Sequence, residues 1–168
     1  MRRCNGCWPY GRAAFSSEIQ RPTCIDDMVA DWQFAIATVQ AVGAVARVLL
    51  GYFDFSMSSI FGVPLVAVRS DVTVAALGLL GSSAATGSLG GRLLADRTRI
   101  VCPVLFLMQL LDELFDRTGY LTRFDALAAT DKQLHANPGR TRKSRLKRST
   151  SHSTFCARIC RAGRRAAL

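Results

Sequence analysis

The chain has 168 residues, 49% of them hydrophobic and 8% aromatic, enough for one modest domain with a real core and too apolar for a largely disordered chain. Its net charge of +10 would ordinarily suggest nucleic acid or an anionic membrane as partner. The whole of that excess lies in Arg140 to Leu168, which carries ten Lys and Arg and no Asp or Glu, so the remaining 139 residues are neutral. The charge therefore excludes a basic body and leaves only a basic tail.

Residues 1 to 25 mix Arg, Cys, Gly and Pro without usable periodicity. Arg2 and Arg3 are followed by Asn5, Gly6, Pro9 and Arg12 rather than an apolar stretch, which argues against a secretory leader. From Asp26 to Val42 apolar residues recur at helical spacing (Met28, Trp32, Ala35, Ile36, Val39), with Asp26 and Asp27 suited to the positive end of a helix and Gly43 to its stop. Val48 to Phe55 is a strand pattern, followed at once by Ser56-Met57-Ser58-Ser59 and an apolar stretch through Val68. Val72 to Leu80 is a second strand, Ser82 to Gly91 a Ser/Gly loop, Arg92 to Arg97 a short helix, and Val101 to Met108 a third strand. Thr118 to Ala129 reads as an amphipathic helix burying Leu121, Phe124 and Ala128; Lys132 to Ala136 is a last short strand closed by Asn137-Pro138-Gly139. Strands and helices alternate, so the expected fold class is α/β with a mainly parallel sheet. Gln40, Arg47, Arg69, Asp71, Gln109 and Asp112 interrupt the apolar runs before any reaches the roughly 18 residues of a membrane span.

Cysteines stand at positions 4, 7, 24, 102, 156 and 160. Cys4 with Cys7 and Cys156 with Cys160 have spacings that can hold zinc, but they sit at opposite ends with no flanking His cluster. They are read as reduced thiols of a cytoplasmic protein, with no metal and no cofactor. Cys102, inside an apolar run, is expected in the core.

Ser56 follows a buried strand and precedes a helix, the setting of a nucleophile elbow, in which a tight turn lifts the hydroxyl above the sheet and the next backbone N–H, here Met57, helps form an oxyanion hole. An elbow normally reads G-x-S-x-G; here it reads Asp54-Phe55-Ser56-Met57-Ser58. Around it stand Ala30-Asp31-Trp32, Gly51-Tyr52-Phe53, Phe61-Gly62-Val63-Pro64-Leu65, Cys102-Pro103-Val104-Leu105-Phe106-Leu107, Asp112-Glu113-Leu114, Phe124-Asp125-Ala126-Leu127 and Leu134-His135-Ala136-Asn137-Pro138-Gly139. In this order and spacing residues 30 to 139 resemble the carboxy-terminal half of the dienelactone-hydrolase-like branch of the α/β-hydrolases.

The resemblance implies a truncated α/β-hydrolase domain over 26–140, with Ser56 at the nucleophile position, Asp112 at the acid position and Met57 in the oxyanion hole. The implied substrate is a small ester or lactone. The family places its catalytic His at the position of Thr141 and several strands, with an oxyanion-hole loop, before the elbow, so the chain, with neither, is expected to be inactive as written. His135 belongs to the preceding strand and is expected to be structural; His152 lies in the tail without a positional match. Read one base earlier, allowed codons for Arg140 to Cys160 can encode His-Pro-Glu-Val-Pro-Ala-Glu-Glu-Val-Asp and then Leu-Asp-Phe-Leu-Arg-Ala-His-Leu, which resembles the family's histidine loop and last helix. Residues 141–168 are accordingly expected to be a frameshifted, disordered basic tail. Self-association through an exposed sheet edge is expected of an incomplete parallel sheet. The competing expectation is a basic-tailed protein binding nucleic acid or an anionic membrane surface.

Overall fold

The computed structural model describes residues 23–42, 50–82, 87 and 89–138. The element order is α1 (Cys24–Ala41), β1 (Leu50–Phe53), α2 (Met57–Val68), β2 (Val72–Gly78), α3 (Leu89–Arg97), β3 (Val104–Gln109), α4 (Arg117–Asp125) and β4 (Lys132–Asn137). The four strands form one sheet in the order β1-β2-β3-β4, every neighbouring pair parallel. Parallel neighbours need a crossover between them, and α2, α3 and α4 supply the three. The expected α/β class is thus the observed one.

Burial explains which strands lie where. β3 is buried at all six positions and β2 at most of its seven, as near-continuous apolar runs between neighbours should be. β1 and β4 are the edges, and their burial alternates or lapses. The main core joins residues from every helix (Ile25, Val63, Leu93, Tyr120) to Ala75, Leu77, Val104, Phe106 and Met108 of the central strands. A smaller cluster on the opposite face contains Ala76, Leu105 and Leu107, packed by Phe55 and Val74. Because side chains alternate along a strand, these two clusters are the two faces of one sheet.

Several element boundaries and faces differ from the sequence expectation. In α1 only Ile25 and Val29 are buried, while Trp32 and Val39 are exposed. The covered stripe continues through Gln33, Ile36 and Gln40, rotated by about one residue from the apolar pattern. Ile25 and Val29 pack into the main core, and at the same end of the helix Arg92 of α3 donates to Asp26 at 2.9 Å. Helix α3 begins at Leu89 rather than Arg92, taking in Gly90 and Gly91. β3 begins only after Pro103, leaving Val101 exposed and Cys102 half-buried against the core. Helix α4 stops at Asp125 and buries Gly119, Tyr120 and Arg123, whereas Ala128 is exposed. Gly43 lies outside the described residues.

Two arginines lie in the core between α3 and α4. Arg97 and Arg123 are 0% and 1% exposed. Arg97 Nη1 donates to the Arg123 carbonyl at 3.1 Å, and its guanidinium sits 5.0 Å from the Phe106 ring centroid. Arg123 Nη1 donates to the Gly90 carbonyl at 2.9 Å. Burial, and then the charge of Arg123, push the Arg97 pKa down. These contacts fix how α3 and α4 lie on β3.

Candidate functional site

The carboxy ends of the strands share one rim, because the sheet is parallel. A ladder of backbone bonds runs along it. Ser56 N donates to Gly78 O at 2.9 Å, Leu79 N to Leu107 O at 3.0 Å, and Leu110 N to Asn137 O at 3.0 Å. The turn after β1, the end of β2, the loop after β3 and the end of β4 are therefore laced together in sequence.

Ser56 occupies the turn between β1 and α2, as the helix N-cap, with φ 61° and ψ −123°. A non-glycine residue held at positive φ is strained by about 1–3 kcal/mol and persists only where its surroundings impose it. Ser59 supplies part of that constraint. It is fully buried, its hydroxyl lies 2.9 Å from Gly78 O and 3.0 Å from Asp54 O, and it accepts from Gly78 N at 3.1 Å. One side chain thus clamps the elbow to the end of β2. Tyr52 adds a second clamp by donating to Ser58 O at 2.8 Å. The elbow bend forms although Asp54 and Ser58 stand where glycines are usual; Asp54 Oδ1 accepts from Phe55 N at 2.8 Å within the turn. Met57 opens α2, so its N–H is among the four that a helix start leaves without an intrahelical acceptor.

The approach of the strands is set by glycines. A Cβ on Gly78 would lie 2.5 Å from the Leu107 carbonyl oxygen, and one on Gly62 2.2 Å from the Tyr52 ring. The first contact is with backbone, so the β2–β3 rim requires hydrogen at Gly78, whereas at Gly62 the outer end of the Tyr52 side chain would have to shift.

Asp112 lies in the loop just past β3. Its Oδ1 accepts from Leu114 N at 2.7 Å and Phe115 N at 3.2 Å, and its Oδ2 accepts from the Tyr120 hydroxyl. The carboxylate is half-buried and held by its own loop and by α4, unlike a solvated surface acid. Ser56 and Asp112 therefore stand on the same rim, beyond strands separated only by β2. The end of β4 is bonded to the loop that leads to Asp112. Thr141 and His152 lie outside the described residues, as do Cys4, Cys7, Cys156 and Cys160. His135 is half-buried within β4, in register with Leu107, two residues before the strand end.

Tyr120, Ser59 and Tyr52 were not legible as site residues. Tyr120 carried a usable signal, standing eight positions after Asp112 on the following helix. Among the described residues no group of His, Cys, Asp and Glu could hold a metal ion, and no helix is long and apolar enough to cross a membrane. The cavity beside α1, α2 and β1, about 250 Å³, is lined by Asp54 and Ser58 but not by Ser56.

A parallel sheet crossed by helices, with a strained serine turn and an acid on one rim, is the α/β-hydrolase fold, and solved structures agree. No protein-family model and no curated protein matches the sequence. A cold-adapted esterase from an Arctic intertidal metagenomic library superposes in its native form with TM-score 0.65 and 28% identity, over 82% of this chain and 58% of the esterase. Its polyethylene-glycol complex gives 0.65 and 25%, over 88% and 62%. The chain thus spans about three fifths of that esterase. The monoacylglycerol lipase of Paleococcus ferrophilus, at 11% identity and TM-score 0.58, covers 80% of this chain and 74% of the lipase, and shares the fold alone.

Proposed function

We propose that this chain is a relative of the serine carboxylic-ester hydrolases, of the dienelactone-hydrolase-like kind, that carries two members of the catalytic triad and lacks the third. Ser56 takes the nucleophile position, Met57 N–H the oxyanion-hole position and Asp112 the acid position. The observation that carries this reading is the backbone of Ser56, held at φ 61° between a parallel strand and a helix on the rim that also bears Asp112.

In an intact enzyme of this type the serine oxygen attacks an ester or lactone carbonyl and releases the alcohol. Water then hydrolyses the acyl-enzyme. A histidine takes the serine proton and returns it to the leaving group, and the aspartate fixes the histidine's tautomer and balances its charge. Here the family's histidine position is Thr141, whose hydroxyl cannot serve as that base at neutral pH. The Ser56 hydroxyl then stays protonated and weakly nucleophilic, and Asp112 has no imidazole to orient. On this reading the chain carries the nucleophile and acid positions without turnover. Its basic tail is read as the out-of-frame counterpart of the histidine loop, so nucleic acid is not a partner on this reading.

A fluorophosphonate probe tests the proposal, because it phosphonylates only a serine whose oxygen is activated, forming an O–P bond as fluoride leaves. The expected result is no labelling of Ser56 in the native chain. Labelling that disappears in Ser56→Ala would overturn the claim that the base is missing.

A further inference from the structure

The cavity of about 250 Å³ beside the elbow has an unusual wall. Three aromatic side chains line it, Trp32 from α1, Tyr52 from β1 and Phe61 from α2. The two residues that replace the elbow glycines, Asp54 and Ser58, line it too. All other lining residues are apolar or glycine, and among the described residues no Lys, Arg or His contributes. Asp54 thus brings a carboxylate to an aromatic chamber with no basic side chain on its wall. Its Oδ1 accepts from Phe55 N, and a carboxylate retains further acceptor capacity beyond one such bond. Tyr52 is held in place by its bond to Ser58 O, so one aromatic wall is preorganised.

Aromatic faces carry negative quadrupole charge and attract cations, less strongly at a half-open cavity such as this one, where Trp32 is 53% exposed, than where water is excluded. A neutral ligand would gain only from the apolar lining, and an anion would be repelled by both Asp54 and the rings. We infer that the cavity beside the elbow is a binding site for a small organic cation with an apolar shell, a quaternary or tertiary ammonium, held between Trp32, Tyr52 and Phe61 with Asp54 as counter-charge. The raised pKa of Tyr52, pushed up to about 12 by burial and then by the Asp54 charge, is consistent with that carboxylate acting across the chamber. Ser56 is not among the lining residues, so the site does not depend on the catalytic reading. An occupant would brace α1 and α2 against β1 and so stiffen the elbow from behind.

Isothermal titration of the full chain with choline, and with its uncharged carbon isostere dimethylbutanol, tests the inference. Choline should bind saturably and the isostere at least about tenfold more weakly. Asp54→Asn and Trp32→Ala should each weaken choline binding about threefold, with the far-ultraviolet circular dichroism unchanged. Trp32 is 53% exposed on a helix, so its replacement leaves a folded protein even where a change at the elbow does not. Equal binding of choline and dimethylbutanol, binding of neither, or choline binding indifferent to Trp32→Ala would overturn the proposal.

Discussion

Strain at Ser56 makes a quantitative prediction that separates an elbow from an ordinary serine turn. Ser56 is held at φ 61°, ψ −123°, and its side chain makes no capping hydrogen bond to α2. The backbone strain of such a residue is about 1–3 kcal/mol. Glycine removes it, because the strain arises from Cβ, but gives back about 0.5–1 kcal/mol through the greater freedom of the unfolded chain. Ser56→Gly should therefore stabilise the protein by about 1 kcal/mol. Ser56→Ala keeps Cβ and loses no capping bond, so it should stay within about 0.5 kcal/mol of the parent. Urea titration followed by circular dichroism measures both, and the midpoint should move without a change in slope. In a thermal melt the glycine variant should gain about 2–4 °C over the alanine variant. A glycine variant no more stable than the alanine one would show that Ser56 is not strained, and the elbow assignment would lose its physical basis.

Other expectations follow from the same geometry. Gly78→Ala places a methyl 2.5 Å from the Leu107 carbonyl and should destabilise by about 3 kcal/mol, read from the urea midpoint. Tyr120→Phe removes the hydroxyl that holds Asp112 and should lower stability by about 2 kcal/mol, since hydrogen bonds to charged groups are the stronger class. Tyr52 titrates near 12 when folded against an ordinary value of 10.0, so its contribution is complete below pH 10 and is lost as pH rises toward 12. Because the group is part-exposed, the loss should be only about 1 kcal/mol, and Tyr52→Phe should remove that increment from the alkaline limb of the stability profile. A variant whose alkaline limb matches the parent's would refute this.

The fold class was legible because β2 and β3 are written as short, nearly unbroken apolar runs, as two-sided sheet positions demand. The strand-to-helix turn at Ser56 and the place of Asp112 just past β3 were legible because the order and spacing of the surrounding motifs resemble those of a known family, where the elbow sequence without its glycines is a weak signal alone. The burial faces of α1 and α4 were not. In α1 the buried residues are Ile25 and Val29, which pack against core residues far away in sequence, and no local pattern encodes those partners. In α4 the buried Arg123 reads as surface charge by composition, yet its guanidinium bonds the Gly90 carbonyl in the core. Ser59 looked like one polar residue in a serine-rich stretch, and only the proximity of Gly78 makes it a clamp. Long-range partners decided each of these, and a periodicity within one element cannot report them.

The most direct measurement is turnover of nitrophenyl acetate by the native chain against Ser56→Ala under identical conditions. The account predicts equal rates for the two, because the position of Thr141 supplies no base and Asp112 has no imidazole to orient. A clear rate that depends on Ser56 would contradict it, and would require another group, His135 foremost, to take the serine proton.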